Sequence, residues 1–307
     1  MSDAVTNVLS FDVEHWYSAT LLRERVTDPA THIEASIERV LAVLDRFDVR
    51  ATFFVVGELA RERPDLVARI ADAGHEVGSH GHTHRPLFEL DRDAFAAELE
   101  ASAVAIHDAT GTWPTGFRAP NFSVTPRTAW AIEALETAGY RYDSSVFPVK
   151  TPMYGVADAP VRPYRLDPRA PFTDPDDSAD GRLVELPLAV FHPRLRLPVA
   201  GGFYARVLPT WPVKRGIRNL NARGHPATIY FHPWEFNPAV RSAAANAPIP
   251  AHARFISFHG IERLAAKLEA LLDEFTFGTA GAVADEYADP GGVAIDGTAP
   301  IRVGGER

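Results

Sequence analysis

The chain has 307 residues, enough for one large domain or two modest ones with a full core. It is 46% apolar and 23% charged, has no cysteine, and carries a formal charge of −9. Disulfides and thiolate metal sites are excluded, so any metal must be held by His, Asp or Glu; the charge disfavours nucleic acid or an anionic membrane surface as partner.

No apolar run approaches the roughly 18 residues needed to span a bilayer. The opening MSDAVTN has neither a basic region nor an apolar stretch, so no signal peptide is expected and a cytoplasmic location follows, with action at the cell envelope left open. The first strand-like run is 8–13, within VLSFDVEHWY. Strand alternation puts Asp12 and Glu14 on one face and Val13 on the other. Two carboxylates this close cost several kcal/mol unless a positive charge lies between them or one takes a proton. A helix is expected at 33–47, a strand at 50–57 (RATFFVVG), a helix at 64–73 and a strand at 75–80 (HEVGSH).

GSHGHTHRP follows at 78–86, with His80, His82 and His84 in five residues. On a helical turn His80 and His84 share a face; in an extended segment all three do. Either arrangement suits a divalent cation, since neutral imidazole is a common metal ligand. The cation would also supply the positive charge that Asp12 and Glu14 require.

Further on, a helix at 92–109 is preceded by Asp91 as cap, and GFRA at 116–119 places Arg118 at a strand end. A helix at 126–138 is expected from Thr125 as cap and Pro126 at its first position. YRYDSS at 140–145 puts Asp143 at a strand end, LVELPLAV at 183–190 is a sixth strand, 204–223 reads as a helix, ATIYFHPW at 227–234 ends in His232, and a last helix covers 259–274. Residues 151–182 and 237–255 are rich in Pro with Asp or Ala and read as long loops, and the end from 283 as a disordered tail. The chain is then one catalytic domain over 1–282. Seven strands alternating with helices argue an α/β fold with a parallel sheet. Ionisable residues end five of the strands, where such sheets build active sites.

In order and wording these pieces resemble the NodB-homology polysaccharide deacetylases, carbohydrate esterase family 4, over about residues 7–280. The family's first motif resembles Asp12-Val13-Glu14, its second His80 to His84, its third Arg118-Ala119-Pro120, its fourth Asp143 and its fifth His232. DVE, GGFYARVLP (201–209) and HPWEF resemble a subgroup associated with exopolysaccharide gene clusters. The resemblance implies a distorted (β/α)7 barrel and metal-dependent removal of N-acetyl groups from an amino-sugar polysaccharide or its precursor. It implies zinc, with cobalt or nickel as substitutes, held by His80, His84 and a third ligand. The family's metal-binding aspartate is Val13 here, which leaves Glu14 or His82 to complete the set. Asp12 would be the base, His232 the acid, Arg118 the partner of Asp12 and Asp143 the group orienting His232. Pro120, Asn121 and Trp234 would meet the substrate. Hydrolysis of small cyclic amides or imides, or glycan binding without catalysis, are the competing readings.

Overall fold

Strand β1 (Asn7–Val13) sets the plan of the molecule. Phe11 and Val13 belong to the large apolar core shared with helices, while Ser10 and Asp12, on the opposite face, look into the sheet's concave interior towards Arg118. The computed structural model describes residues 5–23, 25–26, 31–151, 154–174 and 181–288. Around β1 are β2 (Thr52–Val55), β3 (Glu76–Ser79), β4 (Gly116–Phe117), β5 (Tyr142–Asp143), β6 (Tyr164–Arg165), β7 (Val184–Glu185), β8 (Thr228–Phe231) and β9 (Phe277–Gly278). Their order is β6-β7-β5-β4-β3-β2-β1-β8, with β9 also on β1, and every pairing is parallel except β6 with β7. Leu188, just past β7, bridges Thr228 of β8 in parallel, so the curled sheet closes on itself through a single contact. This is the distorted α/β barrel the resemblance implies.

All seven expected strands are present. β6 and β9 are additional, each two residues long, too short to leave a periodic trace in sequence. The outer helices are α1 (Ile33–Arg46), α2 (Gly57–Glu62), α3 (Pro64–Asp72), α4 (Arg92–Thr110), α5 (Trp130–Ala138), α6 (Gly202–Val207), α7 (Thr210–Asn221), α8 (Pro238–Ala243), α9 (Ala251–Phe258), α10 (Ile261–Leu272) and α11 (Ala280–Asp285). Asp91 caps α4 as expected, accepting from the Ala94 N–H at 2.8 Å. Among the described residues no helix is long and apolar enough to cross a membrane.

Four expectations are corrected. The helix expected at 126–138 starts only at Trp130, because Thr128 bonds back to Thr125 and Ser123 and holds the preceding residues in a turn. The single helix at 204–223 is two, α6 and α7, parted at Leu208 and Pro209, where proline has no N–H to continue the ladder. The 237–255 segment is not a loop: α8 and α9 bury Val240, Ala253 and Phe258 against Trp16 and Trp234. The boundary at 283 falls inside α11, whose Val283 and Ala284 are buried. The rest of the expected tail, from 289, lies outside the described residues, as do 152–153 and 175–180 of the expected loop.

Candidate active site

Because the strands run parallel, their carboxyl ends gather at one mouth of the barrel. Asp12 lies in β1 and Glu14 directly follows it, His80 directly follows β3, Arg118 follows β4, Asp143 ends β5 and His232 follows β8. Asp12 and Glu14 are each 2% exposed, so their charges must be answered within the protein. The answers differ for the two carboxylates.

Asp12 is answered by Arg118, which is wholly buried. Nη1 donates to Asp12 Oδ1 at 2.7 Å and to Ser10 Oγ at 2.8 Å; Nε donates to the Ser144 carbonyl at 2.9 Å and Nη2 to Ser144 Oγ at 2.8 Å. The guanidinium also lies 4.3 Å from the Phe54 ring centroid. A buried cation with this many partners is a fixed part of the site's geometry.

His80 Nδ1 lies 2.7 Å from the Arg118 carbonyl oxygen. A carbonyl only accepts, so Nδ1 carries the proton and Nε2 presents a lone pair, 4.0 Å from Asp12 Oδ2. Burial brings the His80 pKa down to about 4 against the pull of Asp12, leaving a neutral ring at neutral pH. His84 adopts a left-handed backbone, φ 56°, that turns its ring back over the barrel, with Nε2 2.8 Å from Glu14 Oε2. The histidine segment is therefore neither a helical turn nor an extended strand. Glu98 of α4 holds its shape: one carboxylate oxygen accepts from the N–H groups of His82 and Thr83, both at 2.8 Å, and the other from the Thr83 hydroxyl at 2.6 Å. His82 turns elsewhere. Its ring packs where a Cβ on Gly57 would sit, at the start of α2, so Glu14 and not His82 is the group that meets His84.

His232 has its Nε2 3.5 Å from Glu14 Oε1 and its Nδ1 3.1 Å from Glu235 Oε2. Asp143 does not orient it. β5 pairs with β4 and β7, neither of which carries His232, and Asp143 instead bonds Ser145, whose hydroxyl accepts from the Ala119 N–H at 2.8 Å. The orienting group is Glu235, three residues after His232. Its Oε1 accepts from Arg206 Nε at 2.8 Å, and Arg206 donates in turn to the carbonyls of His259 and Ile256, both at 2.7 Å. Burial alone would push His232 down, but the Glu235 bond and charge, with Glu14 and Asp12 behind it, raise it to about 9. For Glu235, burial pushes up and Arg206 with His232 outweighs it, bringing the carboxyl to about 2. His232 is thus a proton-bearing imidazolium at neutral pH.

The sequence reading did not single out Glu235, Arg206 or Glu98. A signal existed for the first two: GGFYAR and HPWE form one device. A Cβ on Gly202 would fall 1.7 Å from the Glu235 carboxylate, so only glycine leaves room for it.

The residues expected to meet substrate fare differently. Trp234 is 4% exposed and stacks on His232, ring centroids 5.3 Å apart, as part of the core with Trp16 and Phe258; it is not a sugar platform. Pro120 is buried. Asn121, left-handed at φ 57°, uses its Oδ1 to accept from the Thr20 hydroxyl at 2.8 Å and so ties the Arg118 loop to the segment after β1. The open space lies on the other side, a cleft of about 320 Å³ bordered by Glu14, His84, His15, Tyr17, Glu58 and Glu62.

Asp143 faces Glu185, its register partner on β7, and both are wholly buried. Burial raises Asp143 to about 6 and, with the Asp143 charge added, raises Glu185 well above the carboxylate range. Two such carboxyls share a proton. The native state therefore holds protons that the unfolded chain releases near pH 4, so this pair's stabilisation is full below that, falls as pH rises through about 6 and goes on falling until Glu185 also ionises. Glu185→Gln supplies a permanent donor to Asp143. Denaturation curves at pH 4.5 and 7 should show the variant gaining stability relative to wild type at the higher pH; equal offsets at both would contradict the shared proton.

The donor chemistry around Glu14 suits a divalent cation. His80 Nε2 is fixed as an acceptor by its bonded Nδ1–H, and Glu14 Oε2 is a buried oxygen with no hydrogen-bond donor aimed at it in good geometry. Among the described residues no three side chains already stand in ligand geometry. His84 Nε2 and Glu14 Oε2, at 2.8 Å, are closer than the roughly 3.4 Å between neighbouring ligands of tetrahedral zinc. Parting these two ends by about half an ångström is the adjustment that binding requires, and it lies within the reach of their terminal torsions.

Comparison with known proteins places part of this site in a matched family region. Residues 27–142 match the family model for polysaccharide deacetylase, and residues 144–285 match a domain of unknown function, DUF3473. The chain thus carries a polysaccharide deacetylase region that makes up well under half of its length. It is 30% identical over 128 residues to the peptidoglycan-N-acetylglucosamine deacetylase PgdA of Listeria monocytogenes, covering 40% of this chain and 28% of that protein. It is 33% identical over 113 residues to a peptidoglycan deacetylase of Helicobacter pylori, covering 37% and 38%. The aligned part thus spans well under half of either relative. A Mycobacterium smegmatis structure assigned to the polysaccharide deacetylases superposes with a TM-score of 0.55 at 23% identity, covering 93% of this chain and 91% of that one, and establishes the shared fold. His80, His84 and Arg118 lie in the first matched region, and Arg206, His232 and Glu235 in the second. The site is built from both, together with Asp12 and Glu14, which precede the first.

Proposed function

We propose that this protein is a metal-dependent amide hydrolase that removes N-acetyl groups from an amino-sugar polysaccharide or its precursor. The observation that carries the reading is a carboxylate and an imidazolium at one barrel mouth, the imidazolium beside Glu14, each locked by its own buried arginine: Asp12 by Arg118, His232 through Glu235 by Arg206. The names of two curated relatives, a peptidoglycan-N-acetylglucosamine deacetylase and a peptidoglycan deacetylase, support an amino sugar as the substrate class.

Glu14, His80 and His84 are the residues that would hold the cation; zinc would polarise the acetyl carbonyl and acidify a water at neutral pH. Asp12, fixed by Arg118, takes the proton from the attacking water. As the tetrahedral carbon collapses, the amide nitrogen becomes a leaving amine and needs a proton. His232 gives it from Nε2, the nitrogen facing Glu14, while Nδ1–H stays on Glu235. Glu235 prevents the ring from flipping and keeps the donating nitrogen aimed at the reaction. The cleft beside Glu14 and His84 receives the sugar.

The test is acetate release from N-acetylated oligosaccharides, alongside a panel of cyclic imides and ureides. Acetate release is expected to stop after thorough chelation and to return with zinc or cobalt. Undiminished activity in the chelated protein would overturn the metal assignment, and turnover confined to the cyclic amides would overturn the substrate class.

A further inference from the structure

The formal charge of −9 hides an uneven distribution. Between Glu185 and Glu235 there is not one Asp or Glu, while the same stretch has seven Arg or Lys. Part of that basic charge is internal: Arg206 serves the active site, Arg196 donates to the carbonyls of Ala157 and Ala159, and Lys214 and Arg218 pair with Glu274 at the end of α10. Arg223 is exposed but bonds the Asn219 carbonyl at the end of α7, and Arg194 and Arg215 remain exposed.

They share a surface with large apolar side chains that the fold leaves outside. α7 buries Val213, Ile217 and Leu220 and turns Trp211, Arg215 and Arg218 outward, positions i, i+4 and i+7 of one stripe. Trp211 is 63% exposed. The helix packs on the hairpin whose arms meet at Val190 and Pro198: Asn219 donates to the Phe191 carbonyl at 2.6 Å, and Trp211 stands edge-on to Phe191. The tip of that hairpin carries Leu195 and Leu197, each 52% exposed, beside Arg194. Single exposed apolar residues need no explanation; a tryptophan and two leucines on adjoining elements, bordered by free arginines in an acid-free stretch, do.

We infer that the face formed by α7 and the 190–198 hairpin seats on a lipid bilayer bearing anionic headgroups. Leucine and tryptophan at its edge enter the headgroup boundary, where an amphipathic indole is favoured, and Arg194 and Arg215 meet lipid phosphates. A soluble polyanion would satisfy the arginines but gives no reason for bare leucines at the hairpin tip. The remainder of this acidic chain is repelled by such a surface, which orients the protein with this face down.

Vesicle sedimentation of the full chain tests this, with phosphatidylcholine alone and with phosphatidylglycerol added. The protein is expected to sediment only with the anionic vesicles and to be released by salt. Arg194→Glu with Arg215→Glu should weaken partitioning at least tenfold, at roughly fivefold for each basic residue lost. Leu195→Ser with Trp211→Ser should weaken it by a similar factor, while circular dichroism and any activity on soluble oligosaccharides stay as in wild type. The inference is overturned if wild type stays in the supernatant with anionic vesicles, or if neither double variant changes sedimentation. It is also overturned if the charge variants abolish binding to a soluble acidic polysaccharide while no vesicle binding exists.

Discussion

Asp12→Asn is expected to lower kcat for acetate release by roughly 10²–10⁴-fold with little change in KM. The substitution is nearly isosteric, and the amide oxygen can still accept from Arg118 Nη1, so the clamp around Ser10 and Ser144 survives. What is lost is the negative charge that accepts the water's proton. Because Arg118 is wholly buried, some stability goes with it, about 1–3 kcal/mol. Steady-state kinetics beside a denaturation curve separates the two effects. An unchanged kcat in a folded Asp12→Asn protein would remove Asp12 from the role of base.

Glu235→Ala should damage both catalysis and stability. Arg206 would be left buried without its anion, at a cost of about 3–5 kcal/mol, and the His232 ring would lose the bond that sets its orientation. The imidazole would keep only Glu14 and Asp12 as neighbouring negative charges and lose the partner that does most to hold it as a cation. We expect kcat to fall roughly 10²-fold with KM nearly constant, since the acid acts only as the leaving amine departs. Glu235→Gln distinguishes orientation from charge. Its side-chain oxygen can still accept from His232 Nδ1–H, so it should restore the ring's position and part of the rate, but not the elevated His232 pKa. A Glu235→Ala protein with wild-type kcat would show that His232 is not the acid. Asp143→Ala, by contrast, should act through stability, because Asp143 contacts Ser145 and Glu185 and not His232.

The relation between sequence and site follows from how far each interaction reaches. β1 was legible because seven residues carry an unbroken alternation, and the same period of two put Asp12 and Glu14 together before any fold was known. His80 and His84 were legible as local density. The partner of Asp12 was legible only through the resemblance, since Arg118 is a hundred residues away and nothing in GFRAP says which carboxylate it meets. Asp143 was assigned to His232 by the same resemblance, and there it failed: Glu235 stands three residues from His232 and reaches it locally, freeing Asp143 to face Glu185. Which of Glu14 and His82 meets His84 was a matter of loop shape. It turned on the left-handed backbone at His84 and on the Glu98 carboxylate that pins Thr83, neither of which has a periodic signature. Trp234 was read as a sugar platform because aromatic residues near a catalytic histidine suggest one. Tertiary packing against Trp16 and Phe258 took its other face, and α8 and α9, hidden in a Pro- and Ala-rich stretch, supplied the walls.

The account depends on water attacking an acetyl carbon at this barrel mouth. The most direct measurement is to incubate the zinc-loaded full chain with N-acetylglucosamine oligomers in heavy-oxygen water and follow both products by mass spectrometry. The account predicts acetate carrying one heavy oxygen, released in equal amount to free amine on the sugar, and abolished in folded Asp12→Asn and His232→Ala proteins. Oligomers that stay fully acetylated with the metal-loaded wild type, or the same labelled acetate from both variants, would contradict it.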